Sequence, residues 1–137
     1  MRFLLICCLS AISSTAVYAA GCSVGGLSAP EMRLSNYVYS ETATSFHVSC
    51  DRSYSITFRS QNLKNNNGLS SVSNGPYQLR TQLKVIGGSD NLWGAIMNQR
   101  AGQDRKYTIS ARLMDNPLSY NVPAGVYRDK IYVDVDF

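Results

Sequence analysis

Residues able to do chemistry are few in this 137-residue chain, and their spacing brings few of them together. His47 is the single histidine. A general base needs an imidazole, a carboxylate to orient it and a proton within reach. His47 instead sits between Phe46 and Val48 in an alternating stretch, where strand parity turns it toward solvent, and the nearest acids in the chain are Glu41 and Asp51. Serines are plentiful, but none stands in a G-x-S-x-G elbow. Asp134 and Asp136 fall on one strand face, a carboxylate pair of the type acid–base catalysis uses. On an exposed face such a pair serves more simply to keep an edge soluble. Gly25–Gly26 and Gly87–Gly88 are turn residues, not a phosphate loop that follows a strand and opens a helix. Trp93 and the tyrosines could stack on sugars, yet aromatics alternating with polar residues belong to cores and cross-strand pairs. The expectation is a protein that is not an enzyme and carries no cofactor.

The cysteines point to a compartment. "MRFLLICCLSAI" places Arg2 ahead of an apolar run, and "SSTAVYA" follows with Val17 and Ala19 at the small-residue positions that precede cleavage. Residues 1–19 therefore form a secretory signal peptide, too short and wrongly flanked for a membrane span. Cleavage after Ala19 leaves one domain over residues 20–137 and shifts the formal charge from +4 to +3 by removing Arg2. Two other processing routes compete with this one. "YAAGC" faintly resembles a lipobox that would anchor Cys22 by a lipid, although Ala19 stands where leucine is usual. Cleavage after Ala11 would instead retain residues 12–20.

Signal removal takes Cys7 and Cys8 with it and leaves Cys22 and Cys50, an even count in an oxidising compartment. No CxxC remains and there is one histidine, so no metal site is expected. A Cys22–Cys50 disulfide closing that loop is worth about 3–4 kcal/mol in the chain-entropy model.

The elements that must position these residues are strands. "TSFHVSC", "SYSITFR", "YQLRTQLKV" and "KYTISARL" each alternate apolar and polar residues. The closing run does so too, with Ile131, Val133, Val135 and Phe137 on one parity and Arg128, Lys130, Tyr132, Asp134 and Asp136 on the other. "CSVGGLSAPEMRLSNYVY" adds one or two short strands. Turn chemistry in "KNNNG", "SNGP", "GGSDN" and "VPAG" separates them. The fold class is an all-β antiparallel sandwich. Residues 64–75 form a solvated loop, or in a sharper reading a binding loop. The basic residues are scattered, with Arg105–Lys106 the one adjacent pair, which argues against nucleic acid.

The closing run ends on a strand pattern with nothing after it, and an exposed strand edge must be covered or it aggregates. Pro123, Ala124, Gly125, Tyr127 and Asp129 in "NVPAGVYRDKIYVDVDF" resemble the closing motif of the spore coat protein U family. "YQLRTQLKVIGGSDNLWG" is similar to that family's central strand and Trp-Gly turn, with "LRTQLKV" a looser match. "CSVGGLSAPEMRLSNYVYSETATSFHVSC" resembles its opening, so the likeness runs from Cys22 to Phe137.

This resemblance, to a family that includes Csu-type archaic chaperone–usher pilus subunits, implies an immunoglobulin-like sandwich lacking its last strand. A donor strand from another chain would complete it: first a periplasmic chaperone, then, after passage through an outer-membrane usher, a neighbouring subunit. Ile131, Val133, Val135 and Phe137 would line or border the groove. The implied role is a subunit of a surface fimbria, secreted through the periplasm, acting in adhesion or biofilm formation. Only Ala20 and Gly21 would precede Cys22 after cleavage. A chain so started has no donor segment to give, which leads to the expectation of a terminal position in the fibre. The alternatives are a monomeric, self-complemented coat or glycan-binding domain, and a lipid-anchored envelope protein.

Overall fold

A computed structural model describes residues 21–119 and 121–137. The expected signal peptide over residues 1–19 and the alternative cleavage after Ala11 lie outside the described residues. Among these residues are eight strands: β1 (Cys22–Gly25), β2 (Glu41–Cys50), β3 (Tyr54–Ser60), β4 (Leu69–Asn74), β5 (Tyr77–Ile86), β6 (Met97–Gln99), β7 (Gly102–Leu113) and β8 (Ile131–Asp136). They form a five-stranded sheet, β1-β2-β7-β5-β4, and a three-stranded sheet, β6-β3-β8, antiparallel throughout. The expected all-β sandwich is thus the observed fold, with every strand read from alternation in place.

Alternation decides which side chains meet between the sheets. Phe46 and Val48 of β2, Ile56 and Phe58 of β3, Leu83 and Val85 of β5 and Tyr107 and Ile109 of β7 are all buried in one core. Phe46 and Tyr107 are direct cross-strand partners in the wide sheet, their rings stacked at 5.5 Å. Phe58 rises from the narrow sheet into the same space, 6.3 Å from Phe46, 5.9 Å from Tyr107 and 5.8 Å from Trp93. Tilted pairs of this kind add about 0.5–1.5 kcal/mol each beyond area burial. Trp93 is wholly buried, so it is a core residue and not a sugar platform.

Two elements differ from the sequence reading. Residues 64–75 are not one loop, because Leu69–Asn74 is strand β4, paired from Leu69↔Gln82 to Asn74↔Tyr77. Its pattern is concealed by size: Ser70 and Ser71 are buried polar residues, the first bonded to Ser60 at 2.8 Å. Gly75 takes φ 58° as the first of two turn residues, followed by Pro76, which suits a tight hairpin. Strand β6, three residues long, gave no periodic signal at all. Tyr77, on the same parity as the buried Leu79, is exposed at the hairpin's rim.

The disulfide joins Cys22 to Cys50, which are also register partners of β1 and β2. With its sulfur in this bridge, Cys22 has no thiol left for a lipid. Replacing Cys50 with Ser should cost about 2–5 kcal/mol, measured as a lower urea midpoint of the variant than of the oxidised protein. A second expectation concerns the Tyr54–Tyr107 hydroxyl contact, 2.6 Å long and buried between the sheets. Burial first, then that hydrogen bond, pushes the Tyr107 hydroxyl above its ordinary range, with Arg105 acting in the opposite direction. A folded value above the unfolded one, near 10 for tyrosine, gives stability that is whole below it. That stability is lost as pH rises through the folded value. The unfolding midpoint should therefore fall above about pH 10, and Tyr107→Phe should flatten that fall.

Candidate functional site

Strand β8 is where the sequence placed the site, and the structure gives its geometry. It lies against β3 over six residue pairs, from Ser60↔Ile131 to Ser55↔Asp136. No described strand is bonded to its other side. An edge of this kind presents a row of main-chain donors and acceptors to whatever lies beside it. Burial along the inward parity is graded: Ile131 is 4% exposed, Val133 7%, Val135 half-buried and Phe137, beyond the strand, 49%. The four residues expected to line a groove are therefore not equivalent. The first two are core and the last two progressively open. The outward parity carries Tyr132, Asp134 and Asp136. Asp134 accepts a bond from Arg59 Nη2 at 3.0 Å, an exposed pair of small energetic weight.

A second stretch has strand character without a partner. Met32 and Leu34 are half-buried while Glu31, Arg33 and Ser35 are exposed, and Met32 packs against the core. Residues 31–34 make no backbone hydrogen bond to any described residue. Of the one or two short strands expected in this opening segment, β1 forms, and residues 31–34 keep the alternation alone.

The motif residues act on how β8 is entered. Tyr127 donates its hydroxyl to the Pro123 carbonyl at 2.6 Å, the upstream corner bond found ahead of strands in immunoglobulin-like sandwiches. Arg128 exchanges both backbone bonds with Ser73 at 2.9 Å, so the chain touches the edge of β4 before turning onto β3. Asp129 is the centre of the knot. Its Oδ1 accepts the Asn62 and Lys130 amides at 3.1 and 2.8 Å, and its Oδ2 accepts the Ser70 hydroxyl at 2.7 Å. A Cβ on Gly125 would stand 2.5 Å from Asn74 Nδ2, the mobile end of a side chain that can turn aside. Ala124 is exposed and touches nothing that defines a role.

The remaining candidates are dispersed. His47 is half-buried, opposite Lys106 of β7 and Gly25 of β1, with no carboxylate bonded to it. Asp136 is exposed at the rim of an open depression of about 420 Å³ that also involves Tyr54, Asn98 and Arg100. That depression depends on β6 and left no mark in the sequence pattern. Among the described residues, no three His, Cys, Asp or Glu side chains gather as a metal site would require.

No family model matches the chain, and no curated protein does. Among solved structures it is similar to a chain of the CsuC–CsuE chaperone–tip adhesion subunit pre-assembly complex from archaic chaperone-usher Csu pili of Acinetobacter baumannii. The identity is 17% and the TM-score 0.49; the match covers 85% of this chain and 39% of that chain. The likeness to the spore coat protein U family is carried by the sequence stretches between Cys22 and Phe137 and not by a family-model match.

Asp129 supplies the test of this arrangement. Asp129→Ala leaves the Ser70 hydroxyl and the Asn62 amide without their acceptor, and should cost about 2–3 kcal/mol in thermal or urea unfolding. Asp129→Asn, which keeps an acceptor oxygen, should cost less.

Proposed function

We propose that this chain is a non-enzymatic structural subunit of a secreted surface fibre, and that β8 accepts an extended strand from another chain. The observation that carries the proposal is the one-sided bonding of β8, a strand with a buried apolar face and a free main-chain edge. Donor-strand addition satisfies such an edge with backbone hydrogen bonds and fills alternate side-chain positions. Residues 31–34, alternately exposed and half-buried and without backbone partners among the described residues, are a second place where an added strand could bond. The motif resemblance supplies the biological setting: a periplasmic chaperone as first donor, an outer-membrane usher, a neighbouring subunit as final donor, and adhesion or biofilm attachment as the purpose. The disulfide fits a route through an oxidising compartment.

A second reading has its own observation. Ile131 and Val133 are already covered by the chain itself, as a self-complemented monomeric coat or glycan-binding domain would require. Hydrogen exchange separates the two. A strand acceptor, exported alone, should be poorly soluble and show fast exchange at the outward-pointing amides of β8. Co-expression with its chaperone should protect those amides, and deleting residues 132–137 should abolish the complex. A soluble monomer whose β8 amides are all protected without a partner would establish the self-complemented reading.

A further inference from the structure

The outward face of the β8 edge is electrically polarised. Arg128 and Lys130 stand exposed where the chain enters the strand, and Asp136 stands exposed where it leaves. Between them, Tyr132 is neutral and Asp134 is matched by Arg59 on β3. Asp129, of opposite parity, spends its carboxylate on Asn62, Ser70 and Lys130 main-chain and hydroxyl donors, so it does not neutralise this face. The Asp136 carboxylate has no ion-pair partner among the described residues; only its main-chain carbonyl is approached, by the Ser55 hydroxyl at 3.5 Å. Arg100, which shares the depression with Asp136, follows β6 on the far side of β3 and makes no ion pair with it. Along the free edge, then, unmatched positive charge and unmatched negative charge are separated by the six-residue step from Lys130 to Asp136.

Directly opposed residues on neighbouring strands interact, favourably for opposite charges and unfavourably for like ones. We infer that the strand this edge accepts bears a cation where it passes Asp136 and an anion where it passes Lys130. Both lie on its outward face, six residues apart, with apolar side chains alternating on the inward face beside Val133 and Val135. The inference rests on the reading of β8 as an acceptor edge and adds to it a rule for which strands fit. Apolar alternation alone would admit any amphipathic strand. The charge pair excludes those with like charges at both ends.

The test uses the full exported chain and three fluorescent peptides of about nine residues, long enough to span β8. All share the same apolar inward face. They differ in the two outward positions six apart, which are Lys and Glu, Lys and Lys, or Glu and Glu. A short peptide can lie in either direction, and the mixed peptide can take the one that sets its Lys beside Asp136 and its Glu beside Lys130, which neither like-charged peptide can do. By fluorescence anisotropy at low salt it should bind about tenfold more tightly than either like-charged peptide, in each of which one favourable cross-strand pair becomes a like-charge repulsion. The gap should close at high salt. Asp136→Lys, an exposed position whose variant can be checked for native unfolding behaviour, should shift the preference to the Glu–Glu peptide. Equal binding of all three peptides, or an unchanged order in Asp136→Lys, would overturn the charge rule and leave the acceptor edge standing. Binding of none would overturn the acceptor edge itself.

Discussion

Phe58 at the middle of β3 is the contact on which the rest of the molecule depends. The narrow sheet has three strands, and β3 is the only one bonded to both of the others. Whatever fixes β3 against the wide sheet fixes β6 and β8 as well. Phe58, with no exposed surface, does this by reaching the stacked Phe46–Tyr107 pair and Trp93 together. Two residues away Ile56 is equally buried, and at the strand's start Tyr54 closes the hydroxyl contact to Tyr107. The position of the β8 edge is therefore decided in the aromatic core, while its chemistry is decided on its own outer parity.

Polar groups within the core act as staples between elements distant in sequence. Asp115 accepts the Arg80 amide at 2.7 Å and its guanidinium at 2.8 and 2.9 Å, tying the end of β7 to the start of β5. Asp129 does the same for the turn after β3, for β4 and for the entry of β8. A carboxylate taking several donors is an inexpensive way to hold irregular backbone, since each charge-assisted bond is stronger than a neutral one. Both aspartates sit where the chain changes sheet or direction, which is where periodic pairing cannot do the work.

Much of this was legible in the sequence because period-two alternation is written by burial. β2, β3, β5, β7 and β8 each show it over at least six residues. β4 hid because its two buried residues are adjacent serines, Ser70 held by Ser60 and Asp129 and Ser71 within reach of Gln78, so no apolar period marks it. β6 is too short to have a period. The cysteine count indicated the disulfide, but the cross-strand register of Cys22 and Cys50 is a matter of pairing that composition does not encode. The Pro123–Asp129 motif was visible as a pattern, and only the coordinates show that its tyrosine and aspartate are braces that deliver β8 to β3. The grading from Ile131 to Phe137 was also invisible, since four apolar residues of one parity look alike until the opposite sheet is in place.

The disulfide has a mechanical consequence. Its two cysteines enclose β1, the crossing segment and β2 in a covalent ring of sequence separation 28. Tension entering from the Gly21 side passes through sulfur to Cys50 and on toward β3, without being carried by the β1–β2 hydrogen bonds. The ring cannot be peeled open residue by residue, so a pull along the chain passes to the antiparallel β3–β8 pair. There it acts at the end at which Ser55 faces Asp136 and opens that pair one residue pair at a time.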